Sequence, residues 1–353
     1  MLRSGMTGGH GIPLGRAPPG ANRRDTLLLA PPLDLLKNLE PPPDDITVRL
    51  NAGYAPDRAG GRACARYGLR RDLTGTLTPM TVALIDSGFG LLSTAGWLRH
   101  LAPELDLLLL LDPEGAPWGP KTNSFVTDRL LTAAHLAIQR GAEAIVVPCN
   151  TATVTAIDAL RERFEPRVPV IGTVPAVKPA AATSQNLAVW ATVRTTASDY
   201  QDRLIADFAN GMPVARVACP GLAEAVDHGD MAAAAEAIAD ATERTPRNCD
   251  AVVLGCTHYP LVAPQILQSL PAGTILYDSA EAVAHQTLRR LNRTRETSSV
   301  VGSIDVVLSD RPGYLPAGAH AYPVGRALAT AARVPREALI SATTRVTVTA
   351  RAI

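Results

Sequence analysis

From Met80 onward, short apolar runs of strand length alternate with helix-length segments, and they do so in two successive series. The first series predicts strands over 82–85, 107–111, 144–147 and 169–171, with helices over about 91–101, 122–140 and 152–164. The second predicts strands over 187–191, 214–217, 251–254 and 274–277, with helices over about 196–209, 230–243 and 260–269. Strand-helix alternation of this kind builds a parallel sheet covered on both faces. The expected fold class is therefore α/β: two similar parallel-sheet α/β domains in a pseudo-twofold relation, with an active site in the cleft between them.

The expected boundaries are 80–176 plus about 290–330 for the first domain and 177–289 for the second. Val306-Val307-Leu308 supplies a last strand or helix to the first domain, and 331–353 forms a tail in which Arg345-Val346-Thr347-Val348 is ambiguous. Residues 1–79 are rich in Gly, Pro and Arg, as in Pro31-Pro32, Pro41-Pro42-Pro43 and Gly60-Gly61. That composition predicts a disordered extension. Met80 lies just before the first strand, so the extension is expected to be dispensable.

At 353 residues, 46% hydrophobic and 19% charged, the chain can bury a substantial core. A formal net charge of +1 gives no overall basic field for nucleic acid. The apolar runs are far too short to cross a bilayer, so no membrane partner is expected. Five cysteines, Cys64, Cys149, Cys219, Cys249 and Cys256, make neither a disulfide framework nor the paired ligand spacing of a zinc site. A reducing, cytoplasmic setting without a bound metal fits this usage.

Two of these cysteines differ from the others. Ala144-Ile145-Val146-Val147-Pro148-Cys149-Asn150-Thr151 and Ala251-Val252-Val253-Leu254-Gly255-Cys256-Thr257-His258 each run an apolar strand into a cysteine and then into polar residues. Each thiol should stand at a strand's carboxyl end, where open α/β sheets bind ligands. Polar neighbours and a helix start are expected to lower both thiol pKa values. Cys219 and Cys249 read instead as small buried hydrophobes. His258, two positions beyond Cys256, is placed to set that thiol's protonation state.

Asp86-Ser87-Gly88 ends the first strand, and Gly88 would let the backbone approach a ligand. Thr192, Thr195, Thr196 and Ser198 follow the strand 187–191; they form either a cluster of anion donors or helix caps.

In order, Asp86-Ser87-Gly88, Pro117-Trp118-Gly119-Pro120-Lys121, Cys149-Asn150-Thr151-Ala152-Thr153, Ile171-Gly172, Pro175 to Ala180, Ala218-Cys219-Pro220 and Gly255-Cys256-Thr257-His258-Tyr259-Pro260 resemble the motifs of glutamate racemases, within the aspartate/glutamate racemase superfamily. The resemblance spans about residues 81–315. It implies a cofactor-independent, two-base interconversion of L- and D-glutamate that supplies D-glutamate for peptidoglycan. Cys149 would act on the D enantiomer and Cys256 on the L enantiomer. Asp86 would assist Cys149, and His258 with Asp227 would assist Cys256.

Asp86, Ser87, Trp118, Gly119, Asn150, Thr151, Thr195, Thr257 and His258 are the substrate-binding candidates. Similar enzymes are often homodimers, but no apolar stripe here marks an interface. Three positions depart from the family pattern. Leu91 replaces a glycine and predicts a reshaped pocket; Trp118 replaces a tyrosine; Asp227 replaces a glutamate and shortens its reach by one methylene. Racemisation of another amino acid such as aspartate, thiol hydrolysis by Cys256 and His258, and an impaired amino-acid-binding homologue are the alternative readings.

Overall fold

The computed structural model describes residues 69–71, 77–209, 211–293, 300–339 and 343–345, with side chains from Met80 to Leu339. Apart from 69–71 and 77–79, the proposed amino-terminal extension, Cys64 included, lies outside the described residues. So does Val346-Thr347-Val348.

In chain order, β1 (Leu69–Arg71) and β2 (Leu77–Pro79) pair as a short antiparallel ribbon. Then come β3 (Thr81–Asp86), α1 (Leu91–Leu101), β4 (Asp106–Leu111), α2 (Asn123–Gln139), β5 (Ala142–Val146), α3 (Asn150–Phe164) and β6 (Val170–Ile171). A short α4 (Val177–Ala181) leads into β7 (Leu187–Ala191), α5 (Val193–Thr196), α6 (Asp199–Phe208), β8 (Val214–Ala218), α7 (Leu222–His228), α8 (Met231–Arg244) and β9 (Ala251–Leu254). The chain closes with α9 (Ala263–Ser269), β10 (Ile275–Tyr277), α10 (Ala280–Arg290), β11 (Ile304–Leu308), β12 (Arg311–Gly313), α11 (Pro323–Ala329) and β13 (Thr343–Arg345).

Two sheets result. One has the order β12-β11-β4-β3-β5-β6 and the other β13-β10-β9-β7-β8, parallel throughout except for the edge strands β12 and β13. The run β4-β3-β5-β6 repeats as β8-β7-β9-β10, so the second series rebuilds the first with the same crossovers. In both, the first strand is central and the third lies on its opposite side from the second. That reversal opens a crevice at the carboxyl ends of β3 and β5, and equally of β7 and β9. Val82, Ala83, Leu84 and Ile85 in β3, and every residue of β7 and β9, are buried on both faces. Near-continuous apolar strands of this kind need helices on each side.

Local chemistry moved several boundaries. The helix expected over 196–209 is two helices, because Thr192 and Ser198 each cap a new start by accepting from Thr195 N and Gln201 N. These side chains, with Thr196 bonded back to Thr192 O, are engaged as caps rather than forming an open anion cluster. After Cys256 the chain enters a 3-10 turn, Tyr259–Val262, before α9, with a proline in the first turn of each. The seven-residue α7, unread in the sequence, is bounded by Gly221 at φ 75° and Gly229 at φ 67°. Its length is too short for a helical period to show.

Candidate active site

Cys149 occupies the N-cap position of α3, and Cys256 follows β9 by two residues. Since β5 and β9 are equivalent strands of the two sheets, the thiols occupy equivalent places. Both line one cavity of about 440 Å³, large enough for a small amino acid. Cys149 is 7% exposed and Cys256 8%, so each meets the cavity while remaining shielded from bulk water.

Ser87, Trp118, Gly119, Asn150, Thr151, Thr195, Asp227, Thr257 and His258 share that lining. Asp86 does not; it lies fully buried behind Cys149 at the end of β3. Its Oδ1 accepts from Ser87 N at 2.6 Å, while its buried Oδ2 has no hydrogen-bond partner among the described residues. Burial raises the Asp86 carboxyl to about 6, against the opposing pull of the His258 charge and the Cys149 thiol. At Cys149 the expected lowering is overturned. Burial first, and then the Asp86 charge, push this thiol well above its usual value, outweighing the amide donor at the helix start.

The other thiol has a different neighbour. Cys256 Sγ lies 3.6 Å from His258 Nδ1, and His258 Nε2 lies 3.0 Å from Asp227 Oδ1. Burial disfavours the imidazolium, but the Asp227 charge and hydrogen bond prevail and hold His258 well above its ordinary pKa. Burial likewise works to raise Asp227, yet His258 and the Phe89 N–H, which donates at 2.6 Å, keep it below the ordinary range. The aspartate therefore reaches His258 despite its missing methylene. Loop residues 88–90 of the first lobe make this possible: a Cβ on Gly88 would collide with the Asp227 carboxylate. Gly88 admits a side chain of the other lobe, where the sequence suggested a ligand. A Cβ on Gly90 would meet Asp86 Oδ2, Thr257 Oγ1 and His258 Nδ1.

One amide crosses between the cysteine-bearing loops. Asn150 Nδ2 donates to Gly255 O at 2.9 Å, tying the residue after one thiol to the residue before the other. Its buried Oδ1 has no hydrogen-bond partner among the described residues.

Trp118 is fully buried and forms a wall of the cavity, with its indole N–H donated to Asp112 Oδ2 at 2.9 Å. Arg129, Ser309 and Gly115 N also bond to Asp112. The indole thus keeps an aromatic wall and anchors its polar edge inside the first lobe. Leu91 is packed in the core and is not among the residues that line the cavity. Cys249 is buried as read. Cys219, also buried, does touch the cavity, but burial pushes its thiol up to about 12. Arg194, Gly221 and Glu224 line the cavity without having been singled out in the sequence. No motif announces them, because they arrive through the turns after β7 and β8.

Two lobes that each present a thiol to one enclosed space, one beside a buried carboxylate and the other beside a carboxylate-held imidazole, define an enzyme that moves protons on a small molecule. The chain belongs to the Asp/Glu/Hydantoin racemase family, whose model matches residues 101–287. It is 38% identical over 220 residues to the glutamate racemase of Pseudomonas syringae pv. tomato, covering 60% of this chain and 79% of that protein. Against the glutamate racemase of Salmonella gallinarum it is 38% identical over 242 residues, covering 66% and 85%. The crystal structure of Escherichia coli glutamate racemase in complex with L-glutamate and the activator UDP-MurNAc-Ala superimposes with a TM-score of 0.60 at 33% identity, covering 71% of this chain and 95% of that one. Among the described residues, no helix is long and apolar enough to cross a membrane.

Proposed function

We propose that this protein interconverts L- and D-glutamate by a two-base mechanism in which Cys149 and Cys256 act on opposite faces of the α-carbon. The observation that carries the reading is the pair of thiols at equivalent strand ends of two lobes, facing one cavity. Glutamate as the substrate comes from the similarity to glutamate racemases.

With L-glutamate bound, the Cys256 thiolate takes the α-proton and the Cys149 thiol delivers a proton to the other face. The C–H electron pair passes to the carboxylate-stabilised carbanion and returns in the new C–H bond. With D-glutamate the roles reverse. The charges beside the two thiols support the first direction. His258, held protonated by Asp227, directs its Nδ1–H toward Cys256, whereas the Asp86 carboxylate stands behind Cys149 and favours its thiol form.

The α-hydrogen is a far weaker acid than a thiol, so most of the barrier must fall to fixed donors around the developing negative charge. Thr151, Thr195, Thr257 and Asn150 are the cavity groups placed to supply them. The product fits the supply of D-glutamate to cell-wall peptidoglycan.

The test is circular dichroism of each glutamate enantiomer with the purified protein. Ellipticity should decay to zero from either starting sign. Decay with aspartate and none with glutamate would overturn the substrate assignment.

A further inference from the structure

Among the described residues, Arg194 is the only arginine or lysine lining the cavity. It stands in α5, the single helical turn after β7, and its side chain reaches across the cavity mouth to the first lobe. Nη1 donates to Gly119 O at 2.6 Å and to Lys121 O, and Nη2 donates to Asn123 Oδ1 at 3.0 Å. All three acceptors are neutral. Among the described residues no carboxylate forms an ion pair with this guanidinium, in contrast to Arg129 with Asp112 or Arg216 with Asp202.

A guanidinium has five N–H donors in a fixed plane. The bonds to the first lobe use three of them and leave the Nε–H and one Nη2–H. The first-lobe contacts therefore orient the group without neutralising it. Within the cavity lining, Asp227 is matched by His258, and Glu224 is the remaining negative side chain. A bound amino acid must keep its α-carbon, and with it the α-carboxylate, between the two thiols, so the cation of α5 is left for a second carboxylate, with which a planar guanidinium pairs through short, charge-assisted bonds.

We propose that Arg194 is a specificity-determining residue that selects an amino acid with an anionic side chain, while its bonds to Gly119, Lys121 and Asn123 hold it over the mouth. The proposal rests on the reading of the cavity as an amino-acid site and deepens it. It names the group that distinguishes glutamate from its uncharged amide. Asn123 and the Gly119 and Lys121 carbonyls act as positioning groups for this cation.

Calorimetric binding of L-glutamate and of L-glutamine to the wild-type chain, to Arg194→Met and to Arg194→Lys tests this. Arg194→Met should weaken glutamate binding about tenfold and leave glutamine binding unchanged. Arg194→Lys should recover most of the loss, because it restores the charge without the fork. The wild-type preference for glutamate should shrink as salt is raised, and this salt dependence should vanish in Arg194→Met.

Equal weakening of both ligands would show that the residue only braces the two lobes and would overturn the proposal; so would unchanged glutamate binding. Because the readout is binding, it stands apart from turnover. A chain that binds glutamate through Arg194 yet fails to racemise it would refute the proposed reaction and leave this assignment in place. The side chain is exposed, so thermal unfolding of the variants should match wild type to within about 0.5 kcal/mol.

Discussion

Cys149→Ala is expected to abolish interconversion of the glutamate enantiomers, lowering turnover by about 10³-fold or more in both directions. One thiol can remove a proton, but without its counterpart nothing on the other face returns one with inversion. Cys256→Ala should do the same. Both thiols already border the cavity, so losing a sulfur should cost folding stability only about 1 kcal/mol, which thermal denaturation would verify.

The variant also separates two chemistries that share part of the site. Cys256, His258 and Asp227 form a thiol-imidazole-carboxylate series, with 3.6 Å and 3.0 Å between successive members, the layout of a thiol hydrolase. Hydrolysis through that series would proceed without Cys149. Undiminished turnover in Cys149→Ala would therefore contradict the two-base account.

The second large effect belongs to Asp86. Its folded-state carboxyl is raised from 3.8 to about 6, chiefly by burial. For Cys149 to act as a base, its thiol must pass its proton to the neighbouring Asp86 carboxylate, which can accept it only when ionised. With D-glutamate as substrate, kcat/KM should accordingly rise as pH climbs through about 6. Asp86→Asn should remove that acid limb and lower the rate by about 10²-fold or more.

The same substitution should strengthen the fold at neutral pH. A carboxyl with a raised folded pKa binds its proton more tightly in the native state than in the unfolded chain. Its contribution to stability therefore falls as pH rises from 3.8 to about 6, and above that range the buried charge costs roughly 3 kcal/mol. Asp86→Asn should recover up to that amount at pH 7 and lose the advantage as the pH approaches 4. Chemical denaturation at the two pH values measures it. A destabilised variant at pH 7 would mean that the carboxylate supports the fold rather than straining it.

These expectations draw on features of unequal visibility in the sequence. The strands were legible because parallel sheets buried on both faces write near-continuous apolar runs, such as Leu107 to Leu111 and Ala251 to Leu254. The repeat of the two series was legible for the same reason, and with it the placement of Cys149 and Cys256 at strand ends. What each thiol experiences was not. Local pattern suggested an amide-lowered pKa at Cys149, whereas the decisive terms are burial and a carboxylate that arrives from β3, more than sixty residues upstream.

Asp227 looked too short until the fold showed that the first lobe comes to meet it, with Phe89 N donating and Gly88 leaving room. The short α7 that carries Asp227 is marked only by its flanking glycines. Arg194 had no motif because its meaning lies entirely in acceptors some seventy residues away on the other lobe.

A two-base mechanism requires that the proton leaving one face of the substrate carbon is not the proton that enters the other. Initial-rate turnover of unlabelled L-glutamate in D2O, with both enantiomers separated and weighed by mass spectrometry, tests it most directly. The D-glutamate formed should carry one deuterium at Cα while the remaining L-glutamate stays unlabelled. D-glutamate that keeps the original hydrogen, or deuterium entering the L-glutamate pool as fast as product forms, would mean that a single base serves both faces.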